Sequence, residues 1–252
     1  MKDIKIIAHR GYLIKGEPEN SIPAFHTAIT HGADGLEFDI HLTSDNKFVC
    51  FHDDTLEKIG RSGQIKDLPQ KELASIELAD GILIPTLEEI LENFGNRVIL
   101  NIEVKSQKKG GKELVNLIHQ YNLNLENLIV SSFHHSPLKD IKTLDPTIPT
   151  GLLCTFAKGQ LKKAQELKCN ALHPFYNSIP KGWIKAPYWV VTRILKYYAH
   201  KSFHNAYKSG ILVNPWTVND AKFIKSAINL NVNSIITDEV EKVLKIREFF
   251  SV

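Results

Sequence analysis

The chain is 252 residues long, 43% hydrophobic and 23% charged, with a formal net charge of +3. This composition belongs to a folded globular protein rather than a disordered one, and the scattered basic residues form no dense block of the kind that grips nucleic acid. No run of about 18 apolar residues occurs, which excludes a membrane-spanning helix and predicts no stable membrane insertion. Cys50, Cys154 and Cys169 are odd in number and far apart, and there is no C-x-x-C. A disulfide framework and a zinc–thiolate site are therefore not expected. A reducing compartment suits them, and the first apolar stretch is too short and too charged for a signal peptide, so a cytoplasmic enzyme is expected.

Nine short apolar runs read as strands: Ile4–Ala8, Gly35–Leu42, Phe48–His52, Val98–Val104, Leu128–Ser132, Gly151–Cys154, Ala171–His173, Ile211–Asn214 and Ser234–Thr237. Segments of helical spacing lie between most of them, among them the stripes Leu114, Val115, Ile118, Tyr121 and Ile224, Ala227, Ile228, Leu230. Asn219 is the expected N-cap of the second stripe. The turn from Thr43 to Lys47 is too short for a helical crossover, so Gly35–Leu42 and Phe48–His52 form an antiparallel hairpin. Eight strands then remain for a parallel (β/α)₈ TIM barrel, an architecture of about this length. The whole of 1–252 reads as a single barrel domain with two insertions. One is a small cap at about 55–84, after the hairpin. It precedes a helix that Thr86 and Glu89 start with a capping box. The other, at about 181–203, is rich in aromatic residues and follows a strand end, so it is expected to start on the active-site face. It reads as a packed helical hairpin or an oligomer contact, with an apolar wall or lid for the substrate, or a membrane-touching surface, as the second reading.

Polar residues fall at the strand ends, where such barrels place their chemistry. The first strand ends in His9 and Arg10, the second carries Glu37 and Asp39, the hairpin ends in His52, and a later strand carries Glu103 and Lys105. Residues two apart on a strand share a face, so Glu37 with Asp39, and Glu103 with Lys105, point into the barrel mouth. Buried carboxylates side by side repel one another, and a cation relieves that cost. Three carboxylates with no nearby cysteine form an all-oxygen site suited to Mg²⁺, Ca²⁺ or Mn²⁺. His9 and His52 are the candidates for general acid and base, because imidazole titrates near neutrality. His26, His31, His41, His119, His134 and His135 read instead as histidines bonded to neighbours, although His41 shares a face with Glu37 and Asp39.

The ordered set His9-Arg10-Gly11, Pro18-Glu19-Asn20-Ser21, Glu37-Phe38-Asp39, Phe51-His52-Asp53, Glu103-Val104-Lys105, Ser131-Ser132-Phe133, Trp216-Thr217-Val218-Asn219 and Thr237-Asp238 resembles the glycerophosphodiester phosphodiesterases of the cytoplasmic bacterial type, from about residue 5 to 240. The resemblance implies hydrolysis of glycerophosphodiesters to sn-glycerol 3-phosphate and an alcohol. It casts His9 and His52 as the catalytic pair and Glu37, Asp39 and Glu103 as ligands of one divalent cation. Arg10 and Lys105 would bind the phosphate, Trp216 would line the glycerol side, and Glu19 and Asn20 would support the site. Two alternatives stand beside it. A lysophospholipase-D-type enzyme on the same site would use the aromatic segment for a lipid tail. A non-catalytic phosphodiester-binding barrel would have lost a catalytic histidine or a metal carboxylate, and His9, His52, Glu37, Asp39 and Glu103 are all present.

Overall fold

The structure, a computed structural model, describes residues 4–12, 17–107, 110–155, 157, 159–176 and 200–251. Eight parallel strands form the barrel: β1 (Lys5–His9), β2 (Gly35–Leu42), β6 (Ile99–Val104), β7 (Leu128–Ser132), β8 (Thr150–Cys154), β9 (Ala171–Pro174), β10 (Leu212–Val213) and β11 (Ser234–Thr237). They pair in the order β10-β9-β8-β7-β6-β2-β1-β11. The ring closes outside the regular ladders, where Asn233 N donates to Val213 O at 2.9 Å and Ile236 N to Pro215 O at 3.0 Å. The architecture is the expected (β/α)₈ TIM barrel.

The alternation within each strand explains the layering. On β2, Leu36, Phe38 and Ile40 are fully buried in the main core cluster between sheet and helices. Burying each such side chain stabilises the fold by about 1.5–3 kcal/mol. The alternate residues Glu37, Asp39 and His41 take the opposite face, and the register sets Glu37 beside His9 of β1 and Asp39 beside Glu103 of β6. Gly35 is required where β2 and β6 approach, since a Cβ there would lie 2.3 Å from Ile99 O. The outer layer is α1 (Ile22–Thr30), α3 (Leu87–Phe94), α4 (Gly111–Gln120), α5 (His135–Leu144), α6 (Gln160–Glu166), α7 (residues 200–208), α8 (Ala221–Asn229) and α9 (Val240–Ser251).

β3 (Phe48–Cys50) runs antiparallel to β2. The hairpin rises past the barrel mouth and its return strand brings His52 back toward it. The insertion behind it holds a short α2 (Gln70–Leu73) and a hairpin of β4 (Glu77–Ala79) and β5 (Ile82–Leu83). It has its own apolar cluster, centred on Leu56, Ile65, Leu73 and Ile84 against Val49 and Phe51. Thr86 then starts α3 with the expected capping box, its side chain accepting from Glu89 N while Glu89 accepts from Thr86 N. One expected cap is corrected. Asp220, not Asn219, caps α8, accepting from Lys222 N, because Asn219 is engaged with β11. Of the second insertion, residues 181–199, with Trp183, Tyr188, Trp189, Tyr197 and Tyr198, lie outside the described residues. Phe203 on α7 is buried against Tyr176, with ring centroids 5.3 Å apart.

His173, one residue before the end of β9, does not turn its side chain to the mouth. It is 0% exposed inside the barrel, in space left by Gly151, where a Cβ would lie 2.5 Å from its Nε2. Asn214 Nδ2 lies 3.1 Å from that nitrogen. Burial alone pushes the imidazole down to about 3. A group whose folded value lies below its unfolded one binds a proton in the unfolded chain first, so stability falls as pH falls from about 7 toward 3. The native state should lose about 2 kcal/mol between pH 7 and pH 5 from this residue. Urea titrations at the two pH values should show that loss in the native protein and its absence in His173→Asn, whatever constant cost the smaller side chain adds.

Candidate active site

The loop after β1 and the turn before α1 are folded onto each other. Arg10 and Asn20 hold positive φ values of 57° and 58°, a sparsely populated conformation for such residues that concentrates at functional sites. Gly11 packs its backbone on Ala24, where a Cβ would come within 2.8 Å. Asn20 N donates to Arg10 O at 2.9 Å. Ser21 caps α1 by accepting from Ala24 N. The strained loop thereby fixes Arg10 over the carboxylates of β2.

Asp39 is the centre of the charge network. It is fully buried, its Oδ2 lies 3.1 Å from Arg10 Nε, and its Oδ1 lies 2.9 Å from Lys105 Nζ. Asn20 Nδ2 donates to Oδ2 at 2.9 Å, and Asn20 Oδ1 accepts from Asp39 N. Burial would raise its carboxyl, but Lys105, Arg10 and Asn20 outweigh burial and hold it below the ordinary value. Lys105 also reaches Glu103 at 2.7 Å. Glu19 accepts from Arg10 Nη1 at 3.3 Å and from Lys58 of the insertion at 2.7 Å.

Two of the three acids thus have a cationic partner, and internal ion pairing accounts for part of the site. Glu37 is different. It accepts from the Arg10 backbone N–H at 3.2 Å and lies 3.9 Å from His9 Nε2. Burial, with Asp39 beside it, pushes its carboxyl up to about 8, and Glu103 is raised to about 6 for the same reasons. Ligand oxygens of Glu37, Asp39 and Glu103 all lie within 4.8 Å of one another. An all-oxygen set of buried acids with too little countercharge can hold a divalent cation.

The two histidines are oriented alike. His9 Nδ1 bonds Asp238 Oδ1 at 2.7 Å, and His52 Nδ1 bonds Asp53 Oδ1. A carboxylate on Nδ1 fixes the tautomer and leaves Nε2 for chemistry. Asp238 is itself held by Asn219, whose Nδ2 donates to Oδ2 at 2.6 Å and whose Oδ1 accepts from Asp238 N at 3.0 Å. Burial lowers His9, but the bond to Asp238 and the charge of Glu37 outweigh it and leave a net rise. Burial dominates at His52, which is lowered.

His9, Arg10, Glu37, His52, Glu103, Lys105 and Trp216 line one cavity of about 70 Å³ together with Asn101, Phe133, Leu153 and Ile236. Asp39, Glu19 and Asn20 stand behind it. Trp216 donates Nε1–H to His173 O at 2.8 Å and meets Phe133 and Phe175 edge-on, each with ring centroids 5.4 Å away. The ten residues singled out in the sequence are therefore one constellation.

Residues 9–242 match the glycerophosphoryl diester phosphodiesterase family. The chain belongs to that family. It is 34% identical to the glycerophosphodiester phosphodiesterase of Caldanaerobacter subterraneus subsp. tengcongensis over 96% of each chain. Its fold superposes on a glycerophosphodiester phosphodiesterase from Parabacteroides distasonis with a TM-score of 0.81 at 25% identity, covering 99% of both chains. It also superposes on an Oleispira antarctica phosphodiesterase, solved with the product sn-glycerol-3-phosphate, with a TM-score of 0.79 at 23% identity, covering 97% of this chain and 96% of that one.

Within this family member, sequence reasoning assigned no role to Asp53, Asp238, Asn101 or Phe133, and gave Asn219 only that of a helix cap. Asp53 directly follows a candidate catalytic histidine and Asp238 ends a barrel strand, and those positions were the available signals. Ser132, also at a strand end, is instead tied into the backbone, donating to Val104 O and accepting from His134 N. His41 is buried, with Nε2 on His52 O at 3.1 Å; it supports the loop that carries His52. His31 and His119 pair with Glu241 and Asp145, as histidines bonded to neighbours.

Proposed function

We propose that the protein hydrolyses glycerophosphodiesters to sn-glycerol 3-phosphate and an alcohol, with His9 and His52 as acid–base pair and one divalent cation held by Glu37, Asp39 and Glu103. The observation that carries this reading is that two imidazoles with fixed tautomers and two of the three clustered carboxylates line one small cavity. Family membership and the relative named above support the same activity.

Breaking the P–O bond to the alcohol requires that the attacking oxygen lose a proton and the departing alkoxide gain one. Two imidazoles meet that need, each contributing about 10²–10⁴-fold. Mg²⁺ or Ca²⁺, with Mn²⁺ as a further option, would neutralise charge on the non-bridging oxygens. Arg10 and Lys105 stand at the same cavity to do likewise, with Glu19 and Asn20 keeping Arg10 and Asp39 in place. Trp216, with Phe133, Leu153 and Ile236, forms the apolar part of the lining and suits the carbon face of the glycerol moiety.

The substrate is read as a small molecule, and the whole chain as one catalytic domain. Among the described residues no helix is long and apolar enough to cross a membrane. The three cysteines are free and buried, which suits a reducing, cytoplasmic setting. A product analysis tests the reaction. Glycerophosphoethanolamine should release sn-glycerol 3-phosphate, and lysophosphatidylcholine should be turned over far more slowly. Choline release from lysophosphatidylcholine at a comparable rate would replace this reading with the lysophospholipase D alternative.

A further inference from the structure

The catalytic cavity adjoins further space on its His52 side. His52, Glu103, Lys105 and Phe133 also border a second cavity of about 420 Å³, lined in addition by Asp53, Asp54 and His134. Asp54 and Lys105 in turn border a chamber of about 590 Å³, set between the β2–β3 turn, the insertion and the segment after β6. Leu42 is the one apolar side chain of that lining among the described residues; the others that extend it are His41 of β2, Thr43, Ser44 and Asn46 from the turn, Gln64 and Lys66 from the insertion, and Ser106 and Gln107 from the segment after β6.

The walls are held in place. Thr43 donates to Asp45, which also accepts from Gln70 N at 2.9 Å, and Gln70 Nε2 donates to Phe48 O. Ser44 N donates to Leu68 O, and Ser106 Oγ accepts from Leu42 N. The insertion is thereby clamped to the hairpin and the hairpin to β6. A chamber with fixed walls can discriminate among ligands, because little ordering cost falls on binding.

Its chemistry also discriminates. A quaternary ammonium is recognised by aromatic faces, and among the described residues the chamber lining has no Phe, Tyr or Trp. Lys66 faces the same space with a like charge. Amides, hydroxyls and one carboxylate offer donors and acceptors on several sides, the pattern that a carbon skeleton bearing several hydroxyls satisfies. We propose that this chamber receives the alcohol half of the substrate, and that its preferred occupant is a polyhydroxylated alcohol rather than choline. The inference rests on the phosphodiesterase reading above and adds to it the class of leaving group.

The test compares kcat/KM for glycerophosphoinositol and glycerophosphoglycerol with that for glycerophosphocholine, in the native protein and in Gln64→Ala/Lys66→Ala. Both side chains are exposed, so the variant keeps the fold. The polyol substrates should be favoured at least about tenfold, and the variant should bring the ratio to within about threefold. A native ratio near one, a preference for choline, or a ratio unmoved by the variant would overturn the proposal while leaving the phosphodiesterase reading intact. No turnover of any of the three would overturn that reading and this one with it.

Discussion

A His9→Ala variant should lose about 10²–10⁴-fold in kcat on glycerophosphoethanolamine, and His52→Ala should lose a similar factor. Both rings line the reaction cavity with Nδ1 engaged by a carboxylate, so each removal deletes one proton transfer and little packing. Because the two act as a unit, the double variant should be hardly worse than either single one. Asp238→Asn separates positioning from chemistry. Asp238 raises His9, so its loss should move the pH-profile limb belonging to His9 to lower pH, with a smaller fall in kcat than His9→Ala. A pH profile unchanged in Asp238→Asn would remove Asp238 from the account. Full activity in His9→Ala would remove the acid–base pair.

The second large effect concerns the carboxylates. Glu37→Gln should lower affinity for Mg²⁺, Ca²⁺ and Mn²⁺ by more than about 10²-fold, measured by calorimetric titration of chelator-treated protein. Glu37 is the acid with the least countercharge, and its carboxyl is raised to about 8. The variant without metal should therefore be about as stable as the native protein at neutral pH, because the amide stands in for a carboxyl that burial and Asp39 keep largely protonated. The native protein should gain about 5–10 °C in Tm at a hundredfold excess of cation over Kd, and the variant should gain none. A metal-dependent Tm rise that survives in Glu37→Gln would place the cation elsewhere.

What the sequence made legible followed from local rules. Period-two alternation put Glu37 with Asp39 and Glu103 with Lys105 on shared faces, and the structure brings those four to one rim. The short turn from Thr43 to Lys47 required an antiparallel return, and β3 makes it. Where tertiary contacts decide, local rules ran out. Asn219 has the chemistry of an N-cap, but the pull of Asp238 and Thr237 across the barrel seam leaves the cap to Asp220. His173 reads as the end of its strand, as His9 does, yet β9 runs on to Pro174 and Gly151 on the neighbouring strand opens the space that takes its ring inward. Asp53 and Asp238 acquire their roles from the nitrogen they face, and no spacing encodes that. The strand expected over Ile211–Asn214 is regular only at Leu212–Val213, because the closing bonds of the barrel run through Pro215 and Asn233, outside any ladder.

The most direct measurement is sn-glycerol 3-phosphate release from glycerophosphoethanolamine by chelator-stripped protein, with Mg²⁺, Ca²⁺ and Mn²⁺ restored one at a time beside a His9→Ala control. Activity that is absent after stripping, returns with a divalent cation and stays absent in the control is the result this account predicts. Release that persists without any cation, or that the control retains, would contradict it.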